Sequence, residues 1–310
     1  MYFRFDRNYE TNPNHFYFTD FERHNAEIAG FHLDRVLGFH RAIPTAGRKV
    51  NISSELEAHA QAKNRCFVGQ CEYYCDTTHA ICGEPDMKEL SVQALLPDIE
   101  YAPRKRSRSP YRRTYNKRRQ LALWQLNSSF CDLKVKTAFP YNAGRALLDL
   151  VDLYIFDFFM GNQDRHHYEY FSIFPGKKQA SFLLHLDNGR GFGNSKTDDM
   201  DILAPLTQCC LIRPTTLRTL LDYYTGPLTL SDALRQSLSK DGLSPILAEK
   251  HYMALERRLN IVLKEVLKCL KKAEWHYEKV IMPFFFNPTN LSSSEHEEDS
   301  EKSLQQQSLK

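Results

Sequence analysis

The sequence predicts an α+β fold, on three observations. Short extended segments broken by Gly, Pro and Cys occupy much of the first third. A strongly apolar segment of helix length, 144–160, sits near the middle. Helical periodicity then fills most of the chain after residue 215. The 310 residues are 42% hydrophobic and 25% charged, the composition of an ordinary globular protein with room for one large domain or two small ones. A formal net charge of +3 is too small to name a partner. No apolar run approaches the length of a membrane helix. The N-terminus, Met1-Tyr2-Phe3-Arg4, carries no apolar signal region, which taken alone points to the cytosol.

The first element expected is a helix over 20–37. Thr19 and Glu22 make a capping-box pattern and Gly38 a stop, while Ala26, Ala29, Leu33, Val36 and Leu37 give an apolar face. A short strand over 49–51 leaves a turn at Gly47, and a loop-rich cysteine cluster follows. Residues 91–96 are extended and end at Pro97. The stretch 104–119 holds nine Lys or Arg residues, and Pro103 and Pro110 argue against a continuous helix. It reads either as a basic patch for nucleic acid or an acidic substrate, or as a solvated loop. The helix 144–160 buries Leu147, Leu148, Val151, Ile155, Phe156 and Phe159 and stops at Gly161-Asn162. A polar loop 163–169, a strand 182–186 and a glycine-rich turn 187–193 come next. Helices over 215–224, 230–239 and 248–272 complete the pattern, and the Ser/Gln/Glu-rich tail is expected to be disordered.

Cys66, Cys71, Cys75 and Cys82 form a cluster, with Cys131, Cys209, Cys210 and Cys269 spread behind it. The even count, with sequons at Asn51, Asn127 and Asn290, favours an oxidising compartment over the cytosol. Zinc is the competing reading, since His79 lies inside the cluster. The C-x4-C-x3-C-x6-C spacing departs from paired C-x2-C ligation and favours disulfides.

Two loops concentrate unusual residues. Asp164-Arg165-His166-His167-Tyr168-Glu169 follows the buried helix, and Asp187-Asn188-Gly189-Arg190-Gly191-Phe192-Gly193 follows a strand. The aspartates are 187 − 164 = 23 residues apart, room for a loop, a hairpin and a second loop. Phosphoryl transfer uses such a pair: one aspartate orients the hydroxyl nucleophile, the other holds a metal on the phosphates. The bland alternative is a cap and a turn. Glu22 and Glu27 are five apart, about 140° around a helix, so at most one of them is expected in a site.

These segments carry a resemblance. Phe18–Gly47, Asp157–Glu169 (DFFMGNQDRHHYE), His185–Gly193 (HLDNGRGFG) and Ile202–Cys210 (ILAPLTQCC) are similar to the secretory-pathway kinases of the Golgi casein kinase type, the "family with sequence similarity twenty". The resemblance covers about 16–272 and implies a protein-kinase-like fold. A partial small lobe would occupy 1–97, a mostly helical large lobe 98–289, and a disordered tail 290–310. It implies Asp164 as catalytic aspartate, Asp187 and Glu22 as metal contacts, and Glu169 beside the nucleotide. Ala94-Leu95-Leu96-Pro97 would be the adenine hinge. ATP with Mn2+ (or Mg2+) would be the cofactors. The implied disulfides are Cys66–Cys82, Cys71–Cys75, Cys131–Cys209 and Cys210–Cys269.

Gly189-Arg190-Gly191-Phe192 resembles the member that phosphorylates Ser-x-Glu sites in acidic secreted proteins, ahead of the xylosylkinase and pseudokinase members. Expected partners are such substrates and a kinase or pseudokinase of the same family, with no nucleic acid and no membrane span. The expected location is the Golgi lumen and the secreted medium. One departure stands out: the chain begins about where the family's phosphate-contacting lysine should be, and neither Arg4 nor Lys49 replaces it. An N-terminally truncated chain is therefore expected, whose activity, or regulatory use as a non-catalytic module, turns on the missing strands.

Overall fold

The computed structural model describes residues 23–60, 65–67, 81–114, 120–172 and 182–286, which form a mixed α+β structure. Helix α1 (Arg23–Val36) buries Ile28, Ala29 and Leu33, as its periodicity requires. The expected start at Thr19 and Glu22 lies outside the described residues. Strand β1 (Thr45–Asn51) is longer than expected and runs through Gly47, which pairs with Ser91 and is not a turn. A Cβ at Gly47 would come 2.4 Å from an Asp241 carboxylate oxygen, so the glycine answers to close approach. β2 (Cys66–Phe67) and β3 (Ile81–Cys82) pair so that Cys66 faces Cys82, and those cysteines form a disulfide. That bond removes zinc for this pair; Cys71, Cys75 and His79 lie outside the described residues. β4 (Met87–Gln93) is antiparallel to β1.

The basic stretch, expected as a patch or a solvated loop, contains a strand, β5 (Arg104–Arg108). After a short helix α2 (Leu123–Leu126) and a two-residue strand β6 (Ala143–Gly144) comes α3 (Ala146–Met160), the centre of the core. From Leu147 to Met160 every residue of α3 is buried, including Asp149, Asp152 and Asp157. Each carboxylate has a guanidinium: Arg213 and Arg145 for Asp149, Arg41 and Arg213 for Asp152, Arg165 for Asp157. β7 (His167–Phe171) starts two residues before the expected end of the polar loop, so Glu169 is on a strand. It is the middle of a three-stranded antiparallel sheet between β5 and β8 (Leu183–Leu184).

A short helix α4 (Ala204–Cys209), not expected from the sequence, precedes α5 (Pro214–Thr225), α6 (Leu230–Leu238) and α7 (Glu249–Lys272); β9 (Phe285–Phe286) pairs with β6. Disulfides Cys131–Cys209 and Cys210–Cys269 close loops of 78 and 59 residues over this helical region. Chain-entropy arguments give each about 4 kcal/mol.

The small β1–β4 ribbon and α1 are fastened to the helical part. α1 packs on α6, and His32 Nδ1 lies 2.7 Å from Ser237 Oγ. Tyr223 donates to the carbonyl of Val36 at 2.9 Å, and the Gly47 amide donates to Asp241 at 2.8 Å. Among the described residues no helix is long and apolar enough to cross a membrane. Asn51 and Asn127 each bend back to accept a backbone amide, from Ser54 and Ser129 respectively; Asn290 lies outside the described residues, as does the tail 290–310.

Candidate active site

The end of α3 sets the position of Asp164. Gly161 takes a left-handed conformation (φ 68°) that closes the helix, and buried Arg258 of α7 donates to the carbonyl of Phe159 at 2.9 Å. The Asn162 side chain then does two things: its amide donates to Asp157 at 3.2 Å, and its oxygen accepts the Asp164 amide at 3.0 Å. The Asp164 carboxylate is left one-fifth exposed, with Arg190 Nε 3.0 Å from one oxygen and His166 Nε2 against the other.

Arg165 points the opposite way, into the core. Its guanidinium makes a two-pronged pair with Asp157 at 2.8 Å for each bond, and also donates to the carbonyl of Leu186 and to Asn188 Oδ1, the latter at 3.2 Å. Burial pushes its pKa down, but the Asp157 charge and hydrogen bonds outweigh that and leave it above the ordinary arginine value. The loop of Asp164 and the turn of Asp187 are therefore tied through one buried side chain.

The Asp187 turn is anchored from three sides. His185 is fully buried, stacked on Phe156, and its Nδ1 lies 2.7 Å from Asp34 on α1. Burial pushes the His185 pKa down, and the Asp34 partnership only partly restores it. Burial pushes Asp34 up, but the His185 bond and two backbone amides outweigh it and leave its pKa below the ordinary value. The pair is thus a neutral imidazole on an ionised carboxylate. The Asn188 amide donates to the carbonyl of His185 at 3.0 Å, and the Gly189 amide donates to Glu27 at 2.8 Å. Asp187 itself has φ 53° and a side chain 71% exposed, left-handed backbone that turns the carboxylate outward, with Arg23 at 3.5 Å.

Asp164, Asp187 and Glu169 line one cavity of about 120 Å3, together with Arg106, His166 and His167. Glu169 is held by Arg104 at 3.6 Å. Asp187 also borders a second cavity of about 220 Å3, shared with Glu27, Ile43, Gln93 and Asn188. Glu27 was the glutamate not assigned a role from the sequence, yet it is the one placed here; Glu22 lies outside the described residues. Burial and then the Asp187 charge raise the Glu27 pKa, against hydrogen bonds from Gly189, Asn188 and Gln93. The available signal was Gly30, three residues on along the same face: a Cβ there would sit 2.9 Å from Asn188 Cβ, so the α1 face carrying Glu27 presses on the turn.

The hinge residues are not brought to either cavity. Leu95 is 97% exposed, and it is the preceding Gln93 that reaches Glu27. Lys49 is spent on Glu89 at 3.8 Å. Among the described residues no three His, Cys, Asp or Glu side chains converge as a metal-binding group. Glu27 and Asp187 are nonetheless two carboxylates whose mutual repulsion a cation would relieve, which fits a metal completed by phosphate oxygens.

Residues 2–278 match the family described as "Golgi casein kinase, C-terminal, Fam20". The extracellular serine/threonine protein kinase CeFam20 of Caenorhabditis elegans is 57% identical over 86% of this chain and 54% of its own length. For the Homo sapiens extracellular serine/threonine protein kinase FAM20C the values are 46%, 87% and 47%. The Mus musculus pseudokinase FAM20A is 45% identical over 86% of this chain and 51% of its own. The crystal structure of the Golgi casein kinase with Mn/ADP bound superposes with a TM-score of 0.83 at 54% identity, over 92% of this chain and 70% of that one. The chain thus spans about half the length of the curated relatives it matches. On the breadth of these matches and the shared fold, the chain belongs to the Fam20 family, that of the Golgi casein kinase.

Proposed function

We propose that this chain is the catalytic part of a secretory-pathway serine protein kinase that transfers the γ-phosphate of ATP to Ser-x-Glu sites of acidic secreted proteins. The observation that carries the reading is the convergence of Asp164, Asp187 and Glu169 on one cavity, with Glu27 behind Asp187. Residues 1–97 would be the partial small lobe and 98–289 the large lobe. Work in the Golgi lumen and secretion fit the three disulfides among the described residues. A kinase or pseudokinase of the same family is the expected protein partner.

Asp164 accepts the proton of the serine hydroxyl as its oxygen bonds to the γ-phosphorus and the bond to ADP breaks. Arg190 and His166, on either side, hold that carboxylate in one orientation. Asp187 and Glu27 would hold Mn2+ or Mg2+, with Glu22 as a further contact. The ion, when bound, neutralises charge on the phosphate oxygens. Arg165 keeps the two loops in register, and Glu169 borders the nucleotide.

The test is phosphate transfer from labelled ATP with Mn2+ by the secreted protein, to a Ser-x-Glu peptide and to a xylose-linker acceptor, beside Asp187→Ala. Transfer to the peptide that disappears in the variant supports the reading. Transfer to the sugar alone makes the protein a xylosylkinase. Transfer to neither leaves a regulatory module, which would change the rate of an added family kinase, or a fragment, which would not.

A further inference from the structure

Strand β5, Arg-Lys-Arg-Ser-Arg, is an outer strand of its sheet, with β7 on one side. Lys105, Arg106 and Arg108 are exposed, and so is Arg112 just beyond the strand. The neighbouring cations are already paired, Arg104 with Glu169 and Arg113 with Asp199 and Asp201. Among the described residues Lys105, Arg106, Arg108 and Arg112 have no carboxylate within ion-pair distance. Three of them are close enough to act on one point: after burial, Arg106, His166, Arg108 and Arg112 are what push the His167 pKa down. Like charges gathered without a counter-charge repel, and an anion relieves that cost.

The chain carries such an anion itself. Segment 295–301 reads Glu-His-Glu-Glu-Asp-Ser-Glu, five carboxylates in seven residues. It lies beyond 2–278, the part that matches the family, so the shared fold does not account for it. The described structure ends close to β5. Phe286 of β9 stands opposite Ala143 of β6. Two residues before Ala143, the Tyr141 hydroxyl meets that of Tyr168, and Tyr168 stands opposite Ser107 of β5. Two tyrosine side chains, end to end, thus join the neighbourhood of Phe286 to β5, on the face that Lys105 shares with Ser107. Arg106 and Arg108 project from the other face, reached around the open edge of the strand. From Phe286 to Glu295 there are 295 − 286 = 9 residues, about 30 Å of extended chain, which is room to reach that edge.

We propose that the acidic segment 295–301 docks on the outer edge of β5 in the same molecule, its carboxylates paired with Lys105, Arg106, Arg108 and Arg112, and so keeps other polyanions off this strand. The contact does not depend on phosphate transfer. Being tethered, it needs little intrinsic affinity: a contact with a Kd of about 0.1 mM, held at an effective concentration of about 1 mM, weakens a rival about tenfold. Being exposed and ionic, it is loosened by salt.

The experiment has two arms, both on the full secreted chain. In the first, heparin serves as the polyanion probe. The parent is compared with a tail variant in which Glu295→Gln, Glu297→Gln, Glu298→Gln, Asp299→Asn and Glu301→Gln are combined, and with the same variant carrying Arg108→Gln and Arg112→Gln. The tail variant is expected to bind heparin about tenfold more tightly than the parent, and the two arginine substitutions to remove that gain. In the second arm, a carbodiimide couples touching amines and carboxylates in an equal mixture of unlabelled and 15N-labelled parent, read by mass spectrometry. Lys105 should be joined to a carboxylate of 295–301 of its own isotope, and the link should fade in about 1 M salt, where the Debye length falls to about 3 Å. Equal heparin affinity of parent and tail variant would mean a solvated edge only and overturn the proposal. A gain that survives the arginine substitutions would place the acidic segment elsewhere, and links found only between unlike isotopes would make the contact one between copies; either overturns it. Should the tail variant be poorly secreted, the cross-linking arm decides alone, and the absence of a Lys105 link to 295–301 sinks the idea.

Discussion

Replacing Arg165 by methionine removes the only guanidinium paired with Asp157 among the described residues, a carboxylate with no solvent exposure. What stays with Asp157 is the Asn162 side-chain amide at 3.2 Å. Breaking a buried pair from one side costs about 3–5 kcal/mol, because the surviving charge is stranded. A domain of this size has only about 5–15 kcal/mol in hand, and each kcal/mol is worth about 2–4 °C of Tm, so a fall of roughly 10 °C is expected. Adding Asp157→Asn removes the stranded charge and should recover most of that loss. Activity should behave differently. Arg165 also donates to the Leu186 carbonyl and to Asn188, and the double variant restores neither bond, so kcat should remain far below the parent's. The assay is a double-mutant cycle read by chemical denaturation and by phosphate transfer. Recovery of kcat along with stability, or a coupling below about 1 kcal/mol, would refute the account of Arg165 as the tie between the two loops.

Three more outcomes follow from the same turn. The Glu27 pKa is raised in the fold, so its contribution to stability is full below the ordinary value of 4.5 and lost as pH rises through the folded value. Glu27→Gln should therefore melt higher than the parent at pH 7.5 in the absence of metal and lose the stabilisation that Mn2+ gives the parent; thermal melts with and without the ion check this. The His185 pKa is depressed, so its contribution is full above 6.5 and lost as pH falls through the folded value, and the depressed Asp34 acts in the same sense at lower pH. His185→Asn should flatten the dependence of the urea midpoint on pH just below 6.5. Gly30→Ala should improve helix propensity by about 1 kcal/mol, yet its Cβ, 2.9 Å from Asn188 Cβ, costs about 1–3 kcal/mol of overpacking. Stability should move little while phosphate transfer falls at least tenfold; full activity in a folded variant would separate α1 packing from the turn.

The helices were legible because a single physical signal dominates each. The ends of α5, α6 and α7 fall within one residue of their apolar periodicity, and α3 announces itself by its unbroken core face. The strands were less so. β5 is a row of cations whose extended shape comes from hydrogen bonds to β7, a partner some sixty residues away, and nothing in Arg-Lys-Arg-Ser-Arg foretells that pairing. Gly47 looked like a turn because glycine is ambiguous until the Asp241 loop that crowds it is known. Spacing and motif together single out Asp164 and Asp187, and both line one cavity. Glu27 has no signal of its own in the sequence: the resemblance implies Glu22 as the metal contact, whereas what places Glu27 is tertiary, the glycine one turn on, through which α1 leans against Asn188.

The fastening of α1 and β1 to the helical half sets how such an enzyme could be switched. In a two-state device the helix carrying a ligand-holding carboxylate needs a second resting place. Here, swinging α1 outward would break the His32–Ser237 contact and the Tyr223–Val36 bond, and would open the buried Asp34–His185 pair. The Gly47–Asp241 bond would hold the adjoining ribbon back. Each joint adds to the cost of an outward swing, and Glu27 rides on the helix that these joints hold. A switch that worked by swinging α1 would have to break these joints together, and the Gly47–Asp241 bond ties the adjoining strand to the same helical half.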